Sequence, residues 1–226
     1  IGAEPSWADF YWRQILRRPA SLANAAQLRL AVSKAPWRQT GIKRTDGALM
    51  SALIERSQFE VARELFRGLD GRLPEAGADL LTNADFGRQP NLAPFDWDLA
   101  VSGNLGATID ERQKSLVVSA IGGARGYAAR QLIDLAPGRY RLAWSLTSSV
   151  SPAPSSLTAQ IVCAEPSIQS VAPLLIKLAA GDKFALFNIR NGACRWHWVS
   201  INVALPDDAE GVDFFLNKFS LTSVPF

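Results

Sequence analysis

The residue types that most often carry catalysis are sparse in this chain of 226 residues. His197 is the only histidine, so any Ser-His-Asp, Cys-His or histidine-based zinc site would have to include it. The carboxylate pairs Asp96/Asp98 and Asp207/Asp208 could supply the acid and base of a glycosidase. Each pair, however, stands too close together to straddle a sugar and lies in a turn-rich segment. We therefore predict that the protein is not an enzyme and that it holds no metal and no other cofactor.

One short segment has the composition of a binding surface rather than a reactive centre. Residues 194–198 read Cys-Arg-Trp-His-Trp. The two tryptophans share one strand parity, whereas the apolar residues from Val199 onward occupy the other, from which we predict a bulge or twist near residue 198 and one partly exposed face. The alternative to a binding role is a core position for Trp97 and a plain outward-facing strand position for His197. The candidate binding residues are Trp97, Arg195, His197 and Trp198.

Composition and charge exclude several classes of protein. Hydrophobic residues make up 48% and charged residues 20% of the chain, which is typical of a folded globular protein. The most apolar run, 171–180, is interrupted by Pro173 and Lys177, so no membrane span is predicted. Residues 1–72 hold 12 Lys/Arg against 7 Asp/Glu, and the rest hold 12 against 14. This mild surplus suits a solvated helical face, and we predict no nucleic-acid partner.

The first third of the chain has helical periodicity. Apolar residues recur at helical spacing from Trp7 to Arg18, from Ser21 to Val32 and from Asp46 to Phe66, with a break at Ser57 and Gln58. The stretch 49–69 resembles a tetratricopeptide-type hairpin, with Phe59 after the first helix and Ala62 at the crossing; an ordinary helical bundle needs the same pattern. The resemblance implies helical hairpins over residues 1–72 and a protein partner bound through them.

From Leu80 onward the hydrophobic period changes to two. Runs of this kind separated by Gly, Pro, Asn and Asp clusters predict an antiparallel sandwich or barrel. Strands are expected at 115–121, 131–135, 139–144, 157–163, 184–190, 196–205 and 214–221.

Three motifs in this second part resemble the jelly-roll carbohydrate-binding modules of the galactose-binding-like fold. They are Asn-Ala-Asp-Phe-Gly at 83–87 followed by Pro-Phe-Asp-Trp at 94–97, the Pro-Gly-Arg-Tyr-Arg-Leu turn at 137–142, and Asn-Lys-Phe-Ser-Leu at 217–221. The resemblance covers residues 80–226 and implies sugar binding by aromatic platforms and polar groups on one sheet face or on loops. Gly87 and Lys218 replace acidic residues of those modules, so we predict no calcium.

The two cysteines, Cys163 and Cys194, stand near the ends of two predicted strands. An even pair in an all-β domain predicts a disulfide, with two buried free thiols as the alternative. A disulfide implies an oxidising compartment, and hence a periplasmic or extracellular protein. The chain does not open with a basic-then-apolar leader, so an export signal is expected to have been removed or to lie outside this sequence.

Taken together, these features predict a segregated α+β protein with helical hairpins over 1–72 and an antiparallel jelly-roll sandwich over 73–226. The favoured function is that of a non-catalytic exported protein that acts in binding or export of an envelope or extracellular polysaccharide. The alternative is a structural or protein-interaction module whose sandwich has lost sugar binding.

Overall fold

A computed structural model describes residues 8–34, 43–69, 79–150, 156–166, 168, 172–190 and 194–225. The chain divides into two compact units, Ile1–Leu73 with Leu92–Phe95, and Pro74–Asn91 with Asp96–Phe226. The predicted division after residue 72 lies outside the described residues and stays a prediction. The assignment of Leu92–Phe95 to the helical unit was not predicted.

The first unit is helical, as its apolar periodicity predicts. Trp7, the predicted start of the first helix, lies outside the described residues, and Pro19 follows that helix and opens a short 3-10 turn. The break between the last two helices lies at Ser57, whose φ of 57° ends the regular helical backbone. The helices are α1 (Ala8–Leu16), α2 (Leu22–Ser33), α3 (Lys43–Glu55) and α4 (Phe59–Gly68).

Packing in this unit buries one face of each helix and one ion pair. Leu53 of α3 and Ala62 and Leu65 of α4 are completely buried. Arg29 of α2 donates to both carboxylate oxygens of Asp46 in α3, with Nε–Oδ1 and Nη2–Oδ2 distances of 2.6 and 2.9 Å. A forked Arg–carboxylate pair of this kind fixes the mutual position of two helices. The tetratricopeptide identity of the α3–α4 segment stays a prediction.

The second unit is a sandwich of two five-stranded antiparallel sheets, so the predicted fold class is confirmed. One sheet has the order β1-β4-β9-β6-β7 and the other β2-β3-β10-β5-β8. The strands are β1 (Asp98–Leu99), β2 (Leu105–Asp110), β3 (Ser115–Ala120), β4 (Arg125–Asp134), β5 (Gly138–Ser148), β6 (Leu157–Cys163), β7 (Leu174–Lys177), β8 (Gly181–Ile189), β9 (Trp196–Ala204) and β10 (Val212–Val224).

Strand alternation fills the space between the sheets. Val199, Ile201 and Val203 of β9 point into the core, so Trp196 and Trp198 belong to the opposite, outer face. The predicted bulge near residue 198 is wrong, because the β9–β6 ladder runs in regular register from Val203 to His197. Regular strand alternation alone places the two tryptophans on the outer face and the valines and isoleucine in the core. The register shift lies instead in β4, between Tyr127 and Ala129.

The motifs that resemble carbohydrate-binding modules meet inside this core. The rings of Phe86 and Phe219 lie 5.7 and 6.0 Å from the ring of Trp97. The Trp97 Nε1–H donates to the carbonyl oxygen of Asn83 at 3.1 Å. Trp97 is only 1% exposed. The prediction of Trp97 as a binding residue is therefore wrong, and its role is to join the first and last motifs of the sandwich.

Candidate functional site

The outer face of the β1-β4-β9-β6-β7 sheet carries a straight line of side chains across all five strands. The ladder places these five residues opposite one another in turn, and we call them the cross-sheet row. At the usual spacing of neighbouring strands the row spans about 19 Å. Its members are Asp98, Arg130, Ser200, Gln160 and Leu175.

An arginine at the β4 position of the row is held between two aromatic rings. The guanidinium carbon of Arg130 lies 4.2 Å from the ring centroid of Tyr127 and 4.7 Å from that of Trp198. Its Nε donates to Oδ2 of Asp98 at 2.8 Å, and the Tyr127 hydroxyl lies 3.4 Å from the same oxygen. Cation–π contact and the ion pair together restrain the guanidinium beside the two rings and Asp98.

Trp198, a predicted binding residue, lies on this face beside the row. Its neighbours across the ladder are Leu132 on β4 and Val162 on β6. The indole is half-buried, so part of its surface is accessible. Trp198 therefore has apolar neighbours on both adjacent strands and lies two residues along β9 from Ser200, the member of the polar row on that strand.

A cluster of uncharged polar groups occupies the other half of the same face. The side-chain amide of Asn202 donates to Oγ of Ser200 at 2.8 Å and to Oε1 of Gln160 at 3.2 Å. Gln160 and Asn202 are half-buried and retain further donor and acceptor capacity on their amide groups. The face thus offers an aromatic ring, a charge pair and amide groups within a few strands.

Arg195 directly precedes β9 and is exposed. Its Nε and Nη2 bind Oδ1 and Oδ2 of Asp134 at 3.0 and 2.7 Å. The backbone N–H groups of Arg195 and Trp196 both donate to Oε1 of Glu165, at 2.8 and 2.9 Å. Arg195 is thus held in place beside Trp196, and its role in binding stays a prediction.

His197 does not lie on the outer face, so its predicted outward orientation is wrong. The residue is 3% exposed and shares the inward parity of Val199. Its Nδ1 lies 3.2 Å from the carbonyl oxygen of Arg195. Burial lowers the pKa of His197 below its usual value of 6.5, against the opposing effects of that hydrogen bond and of Glu165 and Asp134. A buried, neutral imidazole is a core residue here and not a ligand contact.

The predicted disulfide between Cys163 and Cys194 is confirmed. The two Cα atoms are 5.6 Å apart, within the range that a disulfide requires. The bond ties the end of β6 to the residue two positions before β9. It thereby holds the segment that carries Arg195 against the sheet.

The structure brings together only part of the predicted site, and it adds residues that the sequence did not single out. Trp198 lies on the outer face and Arg195 at its end, whereas Trp97 and His197 are in the core. Tyr127, Arg130, Gln160 and Asn202 were missed, and the sequence analysis considered Asp98 only as a glycosidase carboxylate. In the described part of the chain, no three His, Cys, Asp or Glu side chains converge as a metal would need. None of the described helices has the length and apolar character needed to cross a bilayer.

Comparison with known proteins finds similarity at the level of the fold. No protein-family profile matches the sequence, and no curated protein matches it. A family 4 carbohydrate-binding module has 14% identity and a TM-score of 0.45, covering 64% of this chain and 99% of that one. A family 61 module solved with β-1,4-galactotriose has 12% identity and a TM-score of 0.40, covering 65% and 99%.

A third similar structure is the family 22 xylan-binding domain of Xyn10C from Paenibacillus barcinonensis. It has 11% identity and a TM-score of 0.39, covering 66% of this chain and 97% of that one. The sandwich is thus similar to carbohydrate-binding modules, and its own two five-stranded sheets define the fold.

Proposed function

We propose that the protein is a non-catalytic carbohydrate-binding protein whose ligand lies on the outer face of the β1-β4-β9-β6-β7 sheet. The observation that carries this proposal is the cross-sheet row with Trp198 beside it. An extended surface with the aromatic rings of Tyr127 and Trp198 and several fixed polar groups suits a chain of sugar units better than a small compact ligand, which would need a deep pocket.

The chemistry of the row fits sugar hydroxyl groups. Hydroxyls both donate and accept hydrogen bonds, and the amides of Gln160 and Asn202 offer both kinds of group. Asp98 accepts, and Arg130 donates through a guanidinium that its neighbours already orient. Because these side chains are partly fixed before a ligand arrives, little side-chain entropy is lost on binding. The accessible part of the half-buried Trp198 indole adds an apolar contact for the C–H face of a sugar.

The disulfide supports an exported protein. Disulfides persist in oxidising compartments, and so we place the protein in the periplasm or outside the cell. We further propose that it acts in binding or export of an envelope or extracellular polysaccharide, with the helical unit docking to a protein of that assembly. Substitution of the exposed Phe10 of α1 by Asp should weaken that docking without affecting glycan binding.

Affinity electrophoresis and calorimetry against a panel of neutral and acidic polysaccharides test the glycan site. We expect at least one polysaccharide to bind wild type, and we expect Trp198→Ala and Gln160→Ala to lose that binding. Phe215→Ala is the matched control, because Phe215 is a half-buried aromatic residue on the outer face of the other sheet. Silence of wild type across the whole panel would remove the proposal.

A second function has support from one specific contact. The Arg130 guanidinium occupies a face of both the Tyr127 and Trp198 rings, so a sugar would have to displace it in order to stack there. This arrangement favours a module that has lost sugar binding and contacts a protein instead. Co-purification of one defined partner in fixed stoichiometry, lost in Trp198→Ala while the glycan panel stays silent, would select this alternative.

A further inference from the structure

One edge of the sandwich differs from the others in length and protection. The edge strands β1 and β7 have only two and four residues. Along β2, residues 100–102 cover the free side through the Ala107 N–H to Ala100 carbonyl bond and the Val101–Gly106 bridge. Strand β8 has nine residues, and among the described residues only β5 pairs with it. No described residue pairs with the second side of β8, so in the described part of the chain this side is a long row of backbone groups that another strand could bind.

The side chains of β8 make this edge apolar as well. Phe184 and Leu186 point to the outer face and are 58% and 46% exposed. They alternate with Ala185 and Phe187, which pack toward the core. The Arg141 guanidinium, from the paired strand β5, lies 4.7 Å from the Phe184 ring centroid. Natural sheets usually shorten or charge such an edge; here only Asp182 and Lys183, at the start of the strand, are charged.

We propose that β8 pairs antiparallel with β8 of a second copy of this chain, with Ala185 opposite Ala185. Because Ala185 is the midpoint of the nine-residue strand, this register pairs β8 over its full length. It also keeps the outer faces of both sheets on one side, since opposite residues of an antiparallel pair share a face. Two five-stranded sheets would thereby join into one of ten strands.

The side chains of β8 are self-complementary in this register. Phe184 of each copy lies opposite Leu186 of the other, so the four exposed apolar side chains form one cluster across the two-fold axis. This pairing removes from water the part of the Phe184 and Leu186 surface that faces the second copy. No other partner is needed to explain why both residues are apolar.

The charges at the ends of the strand are compatible with the same register. Asp182 lies opposite Asn188 of the second copy and diagonal to its Arg190, within reach of a long arginine side chain. Symmetry produces this opposite-charge contact twice. Lys183 lies opposite Phe187, near the end of the pairing, where its ammonium group can remain in water. The proposal concerns association of the protein with itself and stands apart from the proposed glycan site on the other sheet.

Sedimentation velocity of the purified whole protein over a series of concentrations tests the proposal. We expect wild type to shift from the 24.6 kDa monomer toward twice that mass as concentration rises. Leu186→Lys should raise the dimer dissociation constant by about tenfold or more, because its ammonium would face Phe184 in the apolar cluster. Ile121→Lys is the matched control, since Ile121 is 55% exposed directly after β3, which two strands separate from β8.

Single-cysteine variants test the register. The native cysteines are joined in the disulfide, so an introduced cysteine is unique among the described residues. We expect mild oxidation to cross-link a mixture of Phe184→Cys and Leu186→Cys more than either variant alone. The proposal would be overturned if wild type stayed monomeric at every concentration or if Leu186→Lys left the dimer intact. It would also be overturned if each cysteine variant alone cross-linked as much as the mixture of the two.

Discussion

Arg130 on β4 lies against the indole ring of Trp198 on the neighbouring strand β9, with its guanidinium carbon 4.7 Å from the ring centroid. The ion pair with Asp98 and the contact with Tyr127 leave that guanidinium little freedom to turn away. An aromatic ring of the candidate site is therefore fixed in place by the same arginine that would contact a ligand. The Arg130–Trp198 contact should therefore contribute to the stability of the sandwich whether or not a ligand is bound.

A double-mutant cycle measures the coupling between these two residues. We expect Arg130→Gln and Trp198→Leu each to destabilise the sandwich, with an interaction free energy of about 0.5–1 kcal/mol, because the cation–π contact is partly exposed. Urea denaturation monitored by tryptophan fluorescence gives the change in the free energy of unfolding for each single variant and for the double variant. Strictly additive effects would show that the contact contributes no free energy.

The buried Arg29–Asp46 pair in the helical unit should be sensitive to loss of one partner and tolerant of loss of both. Arg29→Met should cost about 3–5 kcal/mol, since it leaves the Asp46 carboxylate buried without its partner. Arg29→Met combined with Asp46→Leu should recover most of that loss. Far-UV circular dichroism during thermal unfolding follows the helices, and a double variant no better than the single one would contradict the prediction.

Reduction of Cys163–Cys194 should destabilise the sandwich. A bond between residues separated by 31 positions contributes about 3–4 kcal/mol through the entropy of the unfolded chain. We expect the midpoint of thermal unfolding to fall by several degrees in reductant. The variant with both cysteines replaced by Ala should show no response to reductant. Two thiols that react with a thiol reagent in denaturant without reductant would show that the pair is reduced in the native protein.

The stability of the sandwich should decrease as pH falls below about 6.5 because of His197. Burial lowers the pKa of this imidazole in the folded state, so the unfolded chain binds a proton that the folded chain does not. The free energy of unfolding should then fall with a slope of at most about 1.4 kcal/mol per pH unit until pH reaches the folded-state pKa.

The matched variant for this pH effect is His197→Gln, which removes the only histidine of the chain. Its stability, measured by urea denaturation across the same pH series, should lack that slope. Asp96, whose pKa is raised by burial, is present in both proteins, and so its contribution cancels in the comparison. Parallel pH profiles for the two proteins would rule out the effect.

Much of the architecture was predictable because the hydrophobic period changes once along the chain. The predicted strand 157–163 coincides with β6, and the predicted break at Ser57 separates α3 from α4. The short strand β7 has neighbouring apolar residues and no alternation, so its sequence does not indicate a half-buried strand. Strand β2 alternates Leu, Ala and Ile with small or polar residues, but Gly106 weakens the pattern of that strand.

The candidate site was less predictable, chiefly because of the irregularity in β4. The register shift between Tyr127 and Ala129 brings two buried alanines together and disrupts the period of two. The strand was therefore expected to begin only at residue 131, which left Tyr127 and Arg130 outside any predicted element. His197 lies between the two tryptophans of the candidate segment, which suggested a surface position, although its parity matches that of the inward Val199. Which faces are covered depends on contacts between distant strands, which local periodicity does not reveal.

The disulfide has a consequence for the survival of the protein among proteases. Its covalent loop contains β7, which belongs to one sheet, and β8, which belongs to the other. A single backbone cut between residues 164 and 193 would therefore release no fragment, because Cys163 and Cys194 still join the two pieces. Such a nicked molecule would retain its mass on a gel without reductant and separate into two bands only after reduction.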